Sequence, residues 1–209
     1  MSAEHPRDPT ADSGHERDLE RFVTLIDAVV AIAITLLVLP LAEMTVDLSA
    51  GQSVADLLDE HQAELLAFLL SFVVIARLWY SQHATVRILV GFDGWVFTIL
   101  SAWALTIVFL PFPTSLVAEA PDDWLTKTLY IGTMAANLLV LAVLDVVMIR
   151  RPELRAPGRR PDLAAALINA ALMGVALAIS LAIPATSYFP LLLVALDDPI
   201  ERALNVGRS

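Results

Sequence analysis

The residue of this sequence best placed to do chemistry is a carboxylate inside a long apolar run. Asp27 stands five residues past the start of the run Phe22–Leu41, which on a helix places it roughly 7–8 Å inside the boundary of an apolar layer. An ionised group at that depth is costly to desolvate and calls for a partner. At similar depth on other runs stand Arg77, with Trp79 and His83 just beyond it, and Asp145, while Arg21 precedes Asp27 by six residues. The expected arrangement is an inner polar cluster of Arg21, Asp27, Arg77, Trp79 and His83 that fixes how helices pack at one end. The competing use of Arg77 is to snorkel to lipid headgroups. Asp27 and Asp145 could be nominated as an aspartyl pair for intramembrane hydrolysis. Both fall near the same surface and Asp145 lacks a supporting motif, so the reading is not an enzyme. A cluster of this kind could also relay protons in a proton- or cation-coupled secondary transporter, which is the alternative function. No inverted repeat of the kind that accompanies such transporters is visible.

The elements that must hold these groups are long and apolar. The chain has 209 residues, of which 57% are hydrophobic and 17% charged, with a mean hydropathy of +0.71; a water-soluble core of this size could not hide so much apolar surface. Apolar runs cover Phe22–Leu41, Leu65–Tyr80, Trp95–Leu116, Leu129–Ile149, Leu163–Ile183 and Ala185–Leu196. A hydrocarbon layer of about 30 Å needs roughly 20 helical residues. The fold class expected is therefore all-α integral membrane with six transmembrane helices, the last of them short. Residues 1–20 read as a disordered cytoplasmic tail, 21–205 as the six-helix membrane domain and 206–209 as a C-terminal tail. Pro111 and Pro113 remove backbone donors and should kink or end the third helix.

Charge orients the bundle. With both termini inside, the inner segments hold Arg7, Arg17, Arg21, Arg77, Arg87, Arg150, Arg151, Arg155, Arg159, Arg160, Arg202 and Arg208, leaving Lys127 alone outside among 13 basic residues. That asymmetry follows the positive-inside rule and makes the protein a multi-pass protein of the cell membrane. The arginine-rich link 150–160 sets topology and can touch anionic lipid headgroups. A net charge of −10 with membrane-flanking arginines excludes a nucleic-acid binder. The absence of cysteine excludes disulfide frameworks, thiolate metal sites and thiol nucleophiles. Four histidines, two of them in the polar first fifteen residues, do not make a metal centre. No metal or other cofactor is expected.

On a helical wheel Ala28, Ile32, Thr35 and Leu39 share one stripe about 60° wide, and Asp27 points away from it. Ile32 lies about 15 Å into the run, close to the middle of a bilayer. Periodicity alone assigns such a stripe to ordinary helix packing. Trp79, Trp95 and Trp124 read as interface residues and Trp103 as packing. The small residues of the fifth run, among them Ala170, Gly174 and Ala178, allow close helix approach.

Three blocks in this order resemble the transmembrane protein 175 family. They are Arg21, Asp27 and AIAITLLVL (Ala31 to Leu39); Trp79 followed by His83; and FLPFPTSLVAE (Phe109 to Glu119). The likeness covers about the first 120 residues. Leu25 and Ile26 stand where the family has Phe-Ser before the Asp, and Gln82 stands where bacterial members often have a second His. The resemblance implies a potassium-permeable channel, a homotetramer whose first helices line the pore, with potassium ions, a second copy of the chain and membrane lipids as its partners. It further implies a hydrophobic constriction at Ile32, with Thr35 and a second apolar ring at Leu39 beyond it. The TVGYG filter of other potassium channels is absent from the sequence.

Overall fold

The computed structural model describes residues 9–45 and 53–182. In chain order its helices are α1 (Pro9–Leu36), α2 (Leu39–Met44), α3 (Val54–Glu60), α4 (Gln62–Val86), α5 (Gly94–Phe109), α6 (Pro111–Glu119), α7 (Trp124–Arg150) and α8 (Leu163–Ala182), with a 3₁₀ turn at Pro152–Leu154. Five spans among the described residues are long and apolar enough to cross a membrane: Arg17–Met44, Gln62–Val86, Gly94–Glu119, Trp124–Arg150 and Leu163–Leu181. The sixth expected run, Ala185–Leu196, and both chain ends lie outside the described residues. The helix that carries Asp27 starts at Pro9, so residues 9–20, expected as tail, are the first turns of α1.

Prolines set the breaks. Pro40 has no N–H to offer Leu36, and its ring crowds that carbonyl, so α1 ends at Leu36 and α2 begins after a tight turn. That turn is closed by Leu37 N–H to Ile34 O and Val38 N–H to Thr35 O, both 3.2 Å. Pro111 and Pro113 act in the same way on the third span, which divides into α5 and α6 at Leu110. Carboxylates set the starts. Asp93 accepts from the Trp95 and Val96 N–H groups at the head of α5, and Asp123 from Leu125 and Thr126 at the head of α7. Ser53 and Asp56 form a capping box on α3.

Helix α7 is the centre of the bundle. Half of its spanning window is buried, against 22% for α1 and 17% for α8, and it packs on α4, α5, α6 and α8. Trp103, Tyr130, Ile131, Met134 and Leu144 are fully buried there. Lipid tails are as apolar as leucine, so close packing and interhelical hydrogen bonds, rather than hydrophobicity alone, hold such helices together. Three sets of bonds supply them. Ser71 on α4 lies 2.8 Å from the Tyr130 hydroxyl of α7 and accepts from Thr114 of α6 at 2.9 Å. Asn137 of α7 donates to Thr106 of α5 at 2.6 Å. Lys127 of α7 is buried and donates to the Ser180 carbonyl of α8.

The arginine-rich end is tied by backbone. Val90 and Gly91 N–H both donate to Leu154 O, and Ala156 N–H donates to Ile88 O at 2.8 Å, around an isolated antiparallel bridge between Leu89 and Arg155. Arg151 pairs with the free oxygen of Asp93 at 2.5 Å. A side chain at Gly91 would place its Cβ 2.7 Å from Leu154 Cδ2 and 3.2 Å from Leu154 Cα, so glycine is what lets the two links approach.

Candidate functional site

Helix α1 divides into two faces. Leu19, Ile26, Val30, Ala33 and Leu37 recur at helical spacing and are buried against α5 and α4. The opposite side is uncovered: Ala28, Ile32, Thr35 and Leu39 are all exposed, Ile32 at 59% and Leu39 at 54%. Intramolecular packing therefore does not account for this stripe. The turn at Leu37–Val38 displaces Leu39 from an unbroken helical register, yet Leu39 remains exposed. The Thr35 hydroxyl donates to Ile32 O at 2.7 Å, which leaves the lone pairs of its oxygen on the exposed side.

Asp27, one turn nearer the start of the span, is half-buried and accepts from the Trp79 indole N–H at 2.8 Å. Trp79 in turn lies against His83, ring centroids 5.8 Å apart. The structure thus brings Asp27, Trp79 and His83 together, and the bond between α1 and α4 fixes the rotation of the stripe-bearing helix. Arg77 goes elsewhere. It donates to Ser81 at 2.9 Å, lies over the Tyr80 ring and lines a cavity with Asp145 between α4, α7 and α8. Two residues along a helix turn the side chain through about 200°, so Arg77 and Trp79 leave opposite sides of α4. Arg21 borders a shallow depression with Asp18, Phe92 and Phe97.

Several contributors carried only a weak sequence signal. Phe22 packs on Phe97 and Phe92, with centroids 4.8 and 5.5 Å apart, and seats the start of the span on α5 and its leading loop. The Ser71–Thr114–Tyr130 group reads in sequence only as isolated hydroxyls inside apolar runs. Gln82, where the resemblance expects a second histidine, is fully buried, and its amide has no hydrogen-bond partner among the described residues. Trp103 is buried in the core as expected, and Trp95 and Trp124 are exposed. No grouping of side chains able to hold a metal occurs among the described residues.

Residues 21–111 match the family model described as endosomal/lysosomal potassium channel TMEM175. A curated potassium channel of Chamaesiphon minutus is 28% identical over 132 residues, a stretch that spans 62% of this chain and 65% of that relative. The crystal structure of a lysosomal potassium-selective channel TMEM175 homolog from Chamaesiphon minutus superposes with a TM-score of 0.56 at 23% identity, covering 86% of this chain and 97% of that one. The matched family is one of ion channels rather than enzymes. The chain is thus an integral membrane protein that carries the TMEM175 family pattern over residues 21–111 and shares the fold of a solved channel homolog of that family.

Proposed function

We propose that the chain is a potassium-permeable channel of the cell membrane, assembled as a homotetramer around a central path lined by α1. The observation that carries this reading is the uncovered stripe Ala28, Ile32, Thr35 and Leu39 at mid-span, on a helix whose other face is packed and whose rotation is fixed by the Asp27–Trp79 bond. One such helix cannot enclose a path, so several copies must, and closed symmetry is the usual solution.

In this assembly Ile32 forms the constriction and Leu39 a second apolar ring. Neither offers ligands to replace hydration, so the ion passes largely hydrated, and the width of the ring decides whether water stays in it. Narrowing the ring expels water and stops current. Thr35 oxygens, their protons engaged by the Ile32 carbonyl, face the ion with lone pairs. Potassium sheds water more easily than sodium, which makes selectivity moderate and in favour of potassium. The permeant ion is the only small ligand in this scheme, and no cofactor takes part.

The test is a liposome flux assay with potassium and sodium gradients on wild type and Ile32→Asn. Leak should rise and the potassium preference should shrink in the variant; unchanged flux and selectivity would remove Ile32 from the constriction. Unitary current steps separate this reading from a coupled transporter, which would give saturable uptake tied to a counter-ion gradient.

A further inference from the structure

Between α4, α7 and the start of α8, away from the exposed stripe of α1, lies a cavity of about 290 Å³. Its lining carries two guanidiniums, Arg77 and Arg160, and two carboxylates, Asp145 and Asp162. Asp145 is only 5% exposed, and neither a hydrogen bond nor an ion pair joins it to a described residue. A buried carboxylate without a partner is strongly destabilising, and no described residue supplies one, so the cavity calls for a donor beyond the described residues. Asp162 already uses one oxygen to cap α8, accepting from Ala165 N–H at 3.0 Å.

The surrounding charges decide what kind of donor fits. A bare metal ion would meet two guanidiniums in the same lining, and a bare anion would meet two carboxylates. A molecule that carries a cation and an anion a few atoms apart satisfies both. The start of α8, a helix of 20 residues, adds partial positive charge beside Arg160 and favours the anionic part there. Depth narrows the class further. Asp145 is five residues before the end of α7 and Arg160 lies in the link beyond it, so the cavity runs from the bundle end roughly 7–8 Å into the apolar layer. Its outer end, at Arg160, is at the level of lipid headgroups, and Asp145 lies below that level. Leu167 and Ile168 of α8 are exposed close by and offer apolar surface to chains.

We infer that this cavity binds the headgroup of an aminophospholipid of the phosphatidylethanolamine class, its primary ammonium on Asp145 and its phosphodiester on Arg160 and Arg77. The ammonium has N–H donors for the Asp145 oxygens, which a choline headgroup lacks and a glycerol headgroup replaces with neutral hydroxyls. Binding here is independent of the proposed permeation path, so failure of either can be told from failure of the other.

The test uses the purified full chain in detergent, titrated with short-chain phosphatidylethanolamine, phosphatidylcholine or phosphatidylglycerol and read by native mass spectrometry. Phosphatidylethanolamine should bind about tenfold tighter than the other two, the size expected for a charged hydrogen bond made only with it. Asp145→Asn should abolish that preference, and Arg160→Gln should weaken all three lipids together. Equal affinity of the wild type for the ethanolamine and choline lipids would overturn the assignment, as would a preference that survives Asp145→Asn. Free phosphoethanolamine competing at equal concentration would make the ligand a soluble zwitterion and overturn the lipid. Should Asp145→Asn fail to fold, Arg160→Gln decides alone: full retention of phosphatidylethanolamine affinity overturns the site.

Discussion

Trp79→Phe removes the donor that ties α1 to α4 while keeping most of the aromatic volume. Hydrogen bonds between membrane helices average about 0.6 kcal/mol and reach about 1.7. A carboxylate acceptor roughly doubles a neutral bond, so the 2.8 Å Trp79–Asp27 bond is expected to contribute about 1.2 kcal/mol. Partial exposure of both partners in the protomer, with Trp79 at 38%, keeps the figure below about 2 kcal/mol. A double-mutant cycle isolates it: wild type, Trp79→Phe, Asp27→Asn and the double variant are compared by reversible unfolding in mixed detergent micelles. The coupling energy should lie near 1.2 kcal/mol, close to a tenfold change in the unfolding equilibrium. A coupling below about 0.3 kcal/mol, within the range in which independent sites add, would refute the claim that this bond sets the seating of α1. Substituting Arg77 in place of Trp79 should give no coupling to Asp27, since it leaves the other side of α4.

Three further outcomes follow from particular contacts. Gly91→Val should destabilise the protein by about 1–3 kcal/mol through overpacking against Leu154, read as a loss of thermal stability, whereas Gly94→Ala, which meets nothing within 4 Å, should be close to neutral. Tyr130→Phe, which removes the hydroxyl beside Ser71, should cost about 1–2 kcal/mol in the same unfolding assay, and a neutral result would show that Ser71 and Thr114 satisfy each other without it. At the start of α3, the Ser53 hydroxyl and backbone N–H hold the Asp56 carboxyl below its usual value of 3.8; a lowered folded-state value means that the capping box supports the helix above the ordinary carboxylate range and is lost as pH falls through the lowered value. In an NMR titration Ser53→Ala should move the Asp56 midpoint upward, and an unchanged midpoint would refute the cause.

Five of the expected spans were legible because an apolar layer imposes length and composition at once. Prolines 111 and 113 marked the break in the third span, whereas Pro40 stands inside a run that hydropathy reads as continuous, and its effect falls at Leu37–Val38, upstream of the ring itself. That Asp27 needs a partner was legible from depth. Which partner was not, because Arg77 and Trp79 lie at nearly the same depth and only the rotation of α4 on α1 chooses between them. Rotation is set by side chains scattered along the sequence, including Phe22, Ile26 and Phe97. The cavity around Asp145 was hidden for the same reason: Arg77, Asp145 and Arg160 meet only once α8 folds back onto α7. The start of α1 at Pro9 had no apolar signal to reveal it, since its first turns are polar throughout.

The backbone stitch between residues 88–91 and 154–156 joins the α4–α5 link to the α7–α8 link at the arginine-rich end. Backbone bonds, as well as side-chain packing, hold the two links in register there. Along α4, with 25 residues and a length of roughly 37 Å, a tilt of about 5° moves the far tip by about 3 Å while the stitched end stays in place. Further along, the Ser71–Tyr130 and Thr114–Ser71 bonds must give way before the acidic end of α4 can move by that amount.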